Sequence, residues 1–412
     1  MMKKLFLALL LALAGAVQAL EPPNVAGLLP TAVARALLEQ DPRVAAALAG
    51  REVARQEAGI LDKSPYEWIA KAQGQQRSID AGEGWREWNV GLERTFRLSG
   101  KGSADRKLGT ATMEEFEARY GVALQESARE LVSLWVDWLA AERGRELAAV
   151  NLRSVQENLA AVEKRVRAGD VSKLDLNLAS AELAEQKRMD NDASTQASAA
   201  WSRLSVRFPG ISRQAMALPS PGLIAGDDVQ WRERIMATSD EVKLAQMQMR
   251  IAQAQAERAQ ADRVPDPTFG VYTASEGGGR ERVSGITLSI PFSGGLRNLH
   301  SARALAAVEV ARNAVDLKRR EMETGIAAAL ITARGAYESL RMANESADAM
   351  RENARLVQRA YALGEGDLQS LLLARRQAIL AATSALQAHA AALKGYYELL
   401  IDARLIWDMD RK

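Results

Sequence analysis

Cysteine is absent from the 412-residue sequence. That excludes disulfides, thiolate metal sites and cysteine nucleophiles. It also excludes a lipid-anchored mature N-terminus, which needs a cysteine at its cleavage point. Histidine is nearly as scarce, with only His300 and His389. The two fall in different predicted elements, and a metal site needs several converging ligands, so none is expected. Met247 and Met249 lie two apart on one predicted helix and do not share a face, so they are read as packing residues. Aromatic residues make up 5 % of the chain, which favours Ala-rich helices packed on helices over a bulky globular core. The 54 Lys and Arg against 52 Asp and Glu leave a net charge of +2. That balance gives no reason to expect a nucleic-acid partner. Gly277-Gly278-Gly279 and Gly294-Gly295 have neither the spacing nor the Lys of a phosphate loop. With no grouping of acid, base and nucleophile, the chain reads as a non-enzyme without a cofactor.

Long apolar runs are missing beyond the N-terminus. Residues 1–19 read as a secretory signal: Lys3 and Lys4 precede an apolar run from Leu5 to Ala16, and Val17-Gln18-Ala19 is a small-residue cleavage site. The run is shorter than the ~20 residues that a membrane helix needs. Elsewhere no segment suits a membrane helix, so any entry into a membrane is expected through strands.

What is present is a duplication. Asn89 to Lys107 passes from alternating strand through Ser99-Gly100 into helix, and Val283 to Ala302 does the same through Pro291, Ser293, Gly294 and Gly295. An extended segment at 20–30, with Pro22, Pro23 and Pro30, precedes the first repeat at 31–206. A Pro- and Gly-rich linker at 207–227 separates it from the second repeat at 228–412. Each repeat reads as helix, β-hairpin, long helix, turn, helix. The strands are expected at about 66–78 and 85–98, then at about 268–275 and 282–292. A single helix is expected from Asp228 to Ala261. The long helices, one carrying Leu131, Trp135, Trp138 and Leu139 at helical spacing, extend on the order of 100 Å at ~1.5 Å per residue. Their turns are expected at Gly169-Asp170 and at Gly364-Glu365-Gly366-Asp367, with Gly169-Asp170 aligned to Gly366-Asp367.

The strands alternate between an apolar and a polar face. Trp88, Val90, Leu92 and Phe96 point one way, and Glu87, Asn89, Glu93 and Thr95 the other. That is the pattern of a membrane barrel wall. Four strands cannot close a barrel alone, but a ring of copies can supply the closure.

The duplicated order, the stretch from Ile290 to Ala304 (IPFSGGLRNLHSARA) and the tip from Arg165 to Leu183 (RVRAGDVSKLDLNLASAEL) resemble the TolC-like outer-membrane efflux proteins. FRLSGK, Phe96 to Lys101, resembles most the branch serving heavy-metal efflux of the cobalt–zinc–cadmium type. The resemblance covers nearly the whole mature chain. It implies a mainly α chain with a small β part, forming a homotrimer whose α-helical barrel joins a shared twelve-stranded β-barrel. It implies an outer-membrane location with a large periplasmic part, contact with outer-membrane lipid, a periplasmic adaptor and an inner-membrane pump of the resistance–nodulation–division class. By the same resemblance Gly169, Asp170, Ser172, Gly364, Glu365, Gly366 and Asp367 form the adaptor-docking tips. Asp175, Tyr361 and Ser370 fall at the tunnel-entrance gate. Ser99, Gly100, Pro291, Ser293, Gly294 and Gly295 make the barrel-to-helix corners. The chain departs from the family's best-known member in having Ser370 and Leu373 where that protein carries gating aspartates. Asp170 and Asp367 read equally as helix N-caps. Two other readings stay open: the same duct serving drug efflux or type I secretion, and a soluble periplasmic coiled-coil scaffold.

Overall fold

The computed structural model describes residues 27–407 apart from 79, 81, 83, 99, 215, 216 and 293. The expected signal segment, most of the extended segment before it reaches Gly27, and the corner residues Ser99 and Ser293 lie outside the described residues.

The chain is mainly helical with one four-stranded antiparallel sheet. In order it runs α1 (Thr31–Glu39), α2 (Pro42–Asp62), β1 (Trp68–Arg77), β2 (Trp85–Thr95), α3 (Lys101–Ala168) and α4 (Lys173–Arg207). The second half follows as α5 (Asp228–Thr238), α6 (Asp240–Ala261), β3 (Thr268–Glu276), β4 (Glu281–Ser289), α7 (Gly295–Leu363) and α8 (Leu368–Asp402).

The single helix expected over Asp228–Ala261 is two. Ser239 leaves helical geometry at φ −64°, ψ 114°, and its hydroxyl accepts the Val242 N–H, so α6 begins with its own cap. The strands expected to reach residues 98 and 292 end at Thr95 and Ser289. The reason is β3, which begins at Thr268 and pairs there with both Thr95 and Ser289. Pro267, just before it, has no N–H to continue the ladder.

The chain divides into two compact units, each drawing on both repeats. One comprises the segment ending at Leu37, Arg129–Ile235 and Ala327–Lys412. Its core is aromatic and aliphatic: Leu131, Val132, Trp135 and Trp138 of α3 are buried, as are Leu393, Tyr397 and Leu400 of α8. Trp138 stacks between Trp135 and Trp201, at centroid distances of 5.1 and 4.9 Å. Each such buried side chain stabilises by roughly 1.5–3 kcal/mol relative to exposure. The linker is tied to this core. Pro219 O lies 2.7 Å from His389 Nε2, and the Trp231 indole N–H donates to Ala225 O at 2.8 Å.

The other unit comprises Leu38–Ala128 and Met236–Ile326 and contains the sheet, in the order β1-β2-β3-β4. Each strand pairs antiparallel with the next, and β1 and β4 are its outer strands.

Candidate functional site

The register of the sheet sorts its residues into two unlike faces. Trp68, Arg94, Phe269 and Leu288 stand in one cross-strand row, and Ala70, Leu92, Val271 and Ile286 in the next. In these two rows every residue but Arg94 is apolar, and most are exposed; Ile286 keeps 86 % of its surface and Leu288 58 %. The next rows on this face add Thr273, Ser284, Ser275 and Arg282 beside Val90 and Trp88. The opposite face carries Lys71, Gln73, Asn89 and Glu93, with the Lys71 ammonium 2.6 Å from Glu93 Oε2. On that face Glu87 is only 4 % exposed and accepts from Gln75 Nε2 at 2.8 Å. A water-soluble sheet buries its apolar face and solvates its polar one. This sheet leaves its apolar rows exposed as well as Lys71 and Gln73 on the other face.

Where β2 and β3 meet the helices, an ion network holds the corner. Lys101, 2 % exposed, places its ammonium 2.9 Å from Asp266 Oδ1 and 3.3 Å from Asp262 Oδ1. Asp266 also accepts the Tyr66 hydroxyl at 2.8 Å and the Leu98 N–H at 2.9 Å. Asp105 accepts from Arg97 at 2.9 Å and Arg258 at 2.6 Å, and Arg258 also pairs with Asp262. The remaining donors of Arg97 reach the main-chain oxygens of Leu61, Asp62 and Lys63. Burial pushes the Asp262 carboxyl up, but Arg258 and Lys101 outweigh it and hold the group below the usual carboxylate range. Sequence reasoning missed this network, although Arg97 and Lys101 both lie within FRLSGK. At the second corner Pro291, Gly294 and Gly295 are exposed, and neither glycine has a positive φ, so the permissive glycine of the corners is Gly100 at φ +96°.

In the first unit the two hairpin tips repeat one design. At Gly169 (φ +82°) the Asp170 N–H donates back to Arg165 O at 2.9 Å. At Gly364 (φ +80°) the Glu365 N–H donates back to Ala360 O at 2.9 Å. Both are helix C-termini closed by a left-handed glycine. Gly169 therefore corresponds to Gly364, which corrects the expected pairing with Gly366. Gly366 has no positive φ, and a side chain there would meet Tyr361 N at 3.3 Å.

After each turn a helix is capped, with hydroxyl and carboxylate exchanged between the repeats. Ser172 caps α4, accepting the Asp175 N–H at 3.2 Å while Asp175 Oδ2 accepts the Ser172 N–H at 3.0 Å. Asp367 caps α8, accepting the Ser370 N–H at 2.8 Å and its hydroxyl at 2.7 Å. Those bonds from Ser370 hold the Asp367 carboxyl below its usual range. Asp367 is thus an N-cap, and the cap of α4 is Ser172 with Asp170 standing before it. Asp175 and Ser370 both spend hydrogen bonds on their own helix ends. Asp170, Ser172, Glu365 and Asp367 are exposed.

The tips share a small core of Val162, Ala179, Leu368 and Leu371, against which Tyr361 packs. The Arg165 guanidinium lies 5.2 Å from the Tyr361 ring centroid. Tyr361 Oη is buried without a hydrogen-bond partner among the described residues, as are Asn158 Nδ2 and Arg375 Nη1 of α3 and α8. Burial pulls the Arg375 guanidinium below its usual range against the opposing pull of Glu182 and Glu157. Neither Asn158 nor Arg375 has a sequence signal, since both sit in ordinary helical pattern.

Among the described residues no group of three or more His, Asp or Glu is arranged to hold a metal ion. No helix there is long and apolar enough to cross a membrane.

Residues 33–206 match the family model described as outer membrane efflux protein. The chain is also similar to Protein CyaE of Bordetella pertussis, 28 % identical over 317 residues. That match covers 71 % of this chain and 65 % of the relative, so the chain spans a little under two thirds of that protein's length. Among solved structures it resembles a membrane protein from Pseudomonas aeruginosa at a TM-score of 0.75 and 19 % identity, covering 92 % of this chain and 91 % of that one. It likewise resembles the outer-membrane channel OprN at a TM-score of 0.71 and 18 % identity, covering 95 and 96 % of the two chains. The fold is that of these membrane channel proteins.

Proposed function

We propose that the chain is an outer-membrane efflux channel, the exit duct of a tripartite export system. The observation that carries this reading is the sheet: exposed apolar rows on one face, Lys71, Glu87 and Glu93 on the other, and both outer strands open. Open edges are not tolerated in lipid, where no water satisfies their N–H and C=O groups. Pairing β1 of one copy with β4 of the next removes every edge, and three copies close a twelve-stranded barrel. The similarity to outer-membrane channels supports the same assembly.

In this reading the tips form the periplasmic entrance. Gly169, Asp170, Ser172 and Gly364–Asp367 dock a periplasmic adaptor, and Asp175, Tyr361 and Ser370 belong to the gate. An inner-membrane pump of the resistance–nodulation–division class supplies the free energy, and the duct needs no catalytic group.

The cargo we propose is heavy-metal cations, on the resemblance of Phe96 to Lys101 to the cobalt–zinc–cadmium branch. Arg97 and Lys101 of that stretch are engaged at the sheet-to-helix corner, so the pump chooses the ion. A deletion strain grown on zinc, cobalt, cadmium, copper, dyes and detergents, with plasmid complementation, tests the cargo. Sensitivity confined to metals supports it. Sensitivity to dyes and detergents instead overturns the metal assignment and favours drug efflux through the same duct.

A further inference from the structure

The start of α7 carries two arginines, Arg297 and Arg303, that form no ion pair among the described residues. Among the corner residues, Arg97, Lys101 and Arg258 face Asp105, Asp262 and Asp266, three cations against three carboxylates. Arg297 lies beside this cluster but donates to the main-chain oxygen of Asp262, at 2.6 Å, which leaves its charge uncompensated. Arg303 is exposed and forms no ion pair among the described residues. Arg297, His300 and Arg303 recur at every third position of α7, so they lie along one side of the helix.

These side chains line a groove of about 630 Å³ whose other wall is α6. Leu296, Ala304 and Ala259 supply apolar lining, and Asp262, already paired with Arg258 and Lys101, is the one acid lining it among the described residues. The groove is therefore cationic at one level and apolar beside it.

Its place along the chain gives it meaning. The exposed apolar series on β4 continues past the strand through Ile290, Phe292, Leu296 and Leu299, and Arg297, His300 and Arg303 interleave with it where the sheet gives way to α7. On a protein that inserts by this sheet, the end of the sheet is the headgroup level, where arginines meet lipid phosphates.

We propose that this groove binds the phosphate of an anionic phospholipid, with Arg303 and Arg297 as its cations and Leu296 against the first part of an acyl chain. The inference rests on the membrane reading above. It adds a lipid headgroup site that anchors the start of α7 beside the ion network of the corner.

The test uses the full chain purified in detergent. Retained lipid is counted by native mass spectrometry after addition of dioleoylphosphatidylglycerol, dioleoylphosphatidylcholine or inorganic phosphate. Phosphatidylglycerol should be retained in preference to phosphatidylcholine. Arg303→Ala should lower that retention about fivefold, as expected for one arginine near an anionic surface. Arg303→Lys should largely keep it, and Arg297→Ala combined with Arg303→Ala should lower it roughly twentyfold. Equal retention of the two lipids, an unchanged preference in Arg303→Ala, or competition by millimolar phosphate would each overturn the site. Flotation with phosphatidylcholine vesicles separates this from the wider reading. Flotation without a phosphatidylglycerol preference removes the groove alone, whereas failure to float with any vesicle removes membrane insertion and the groove together.

Discussion

The Lys101 ammonium and the Asp266 carboxylate form a buried ion pair at 2.9 Å, with 2 % and 4 % of their side chains exposed. The two residues belong to different repeats, and their contact ties the end of the first hairpin to the start of the second. Removing one member of such a pair strands the other charge in a dry site. Lys101→Met should therefore lower stability by about 3–5 kcal/mol. Lys101→Arg, which keeps the charge, should cost less. Thermal denaturation in detergent, followed by circular dichroism, measures both.

The same pair sets an acid limit. Burial pushes the Asp266 carboxyl up, but the Leu98 N–H, the Lys101 ammonium and the Tyr66 hydroxyl outweigh it and hold the group below its usual range. A carboxylate depressed in the folded state contributes stability above its unfolded pKa of about 3.9, and loses it as pH falls through the folded value. Denaturation temperature should thus be insensitive to Asp266 between about pH 5 and 7 and decline below about pH 4. Asp266→Asn should flatten part of that decline; an unaltered acid limb would show that the pair does not set it.

At the second tip, Gly364 and Gly366 should respond differently to alanine. Gly364 sits at φ +80°, where a side chain costs roughly 1–2 kcal/mol. Gly366 has ordinary φ and only a tight contact with Tyr361 N at 3.3 Å. Gly364→Ala should speed amide exchange over residues 365–370 by about tenfold, and Gly366→Ala by much less.

Much of this was legible in the sequence because it is periodic or local. Alternation in Trp88, Val90 and Leu92 marks the strand and its apolar face, and the repeated corners mark the duplication. The tip was half legible. Gly364 and Gly366 both suit a turn, and only the bond from the Glu365 N–H to Ala360 O decides between them. Ser239 is not legible as a break, because a cap inside an otherwise helical pattern looks like one more polar position. The corner network was illegible for a different reason. Lys101 finds Asp266 and Arg258 finds Asp105 across the whole first repeat, and no local spacing encodes such a meeting.

On the sheet, Ile286→Arg places a charge at a residue that keeps 86 % of its surface. In water that change is nearly neutral. Facing lipid, an arginine near the bilayer midplane costs about 2–4 kcal/mol. The amount of protein recovered in the outer-membrane fraction should fall sharply. Arginine in place of Gln73, on the polar face, should be tolerated.

The closure of the sheet by copies of itself is the central claim, and the absence of cysteine makes it directly measurable. One cysteine is placed on β1, at Ala72, and a second in turn at each position from Val283 to Leu288 on β4. Cells are oxidised, and membranes are run on non-reducing gels. The account predicts that at least one pair yields covalent species ending at three chains, and that Ala72→Cys alone yields none. Monomer at every β4 position, with the protein present in the membrane, would contradict it.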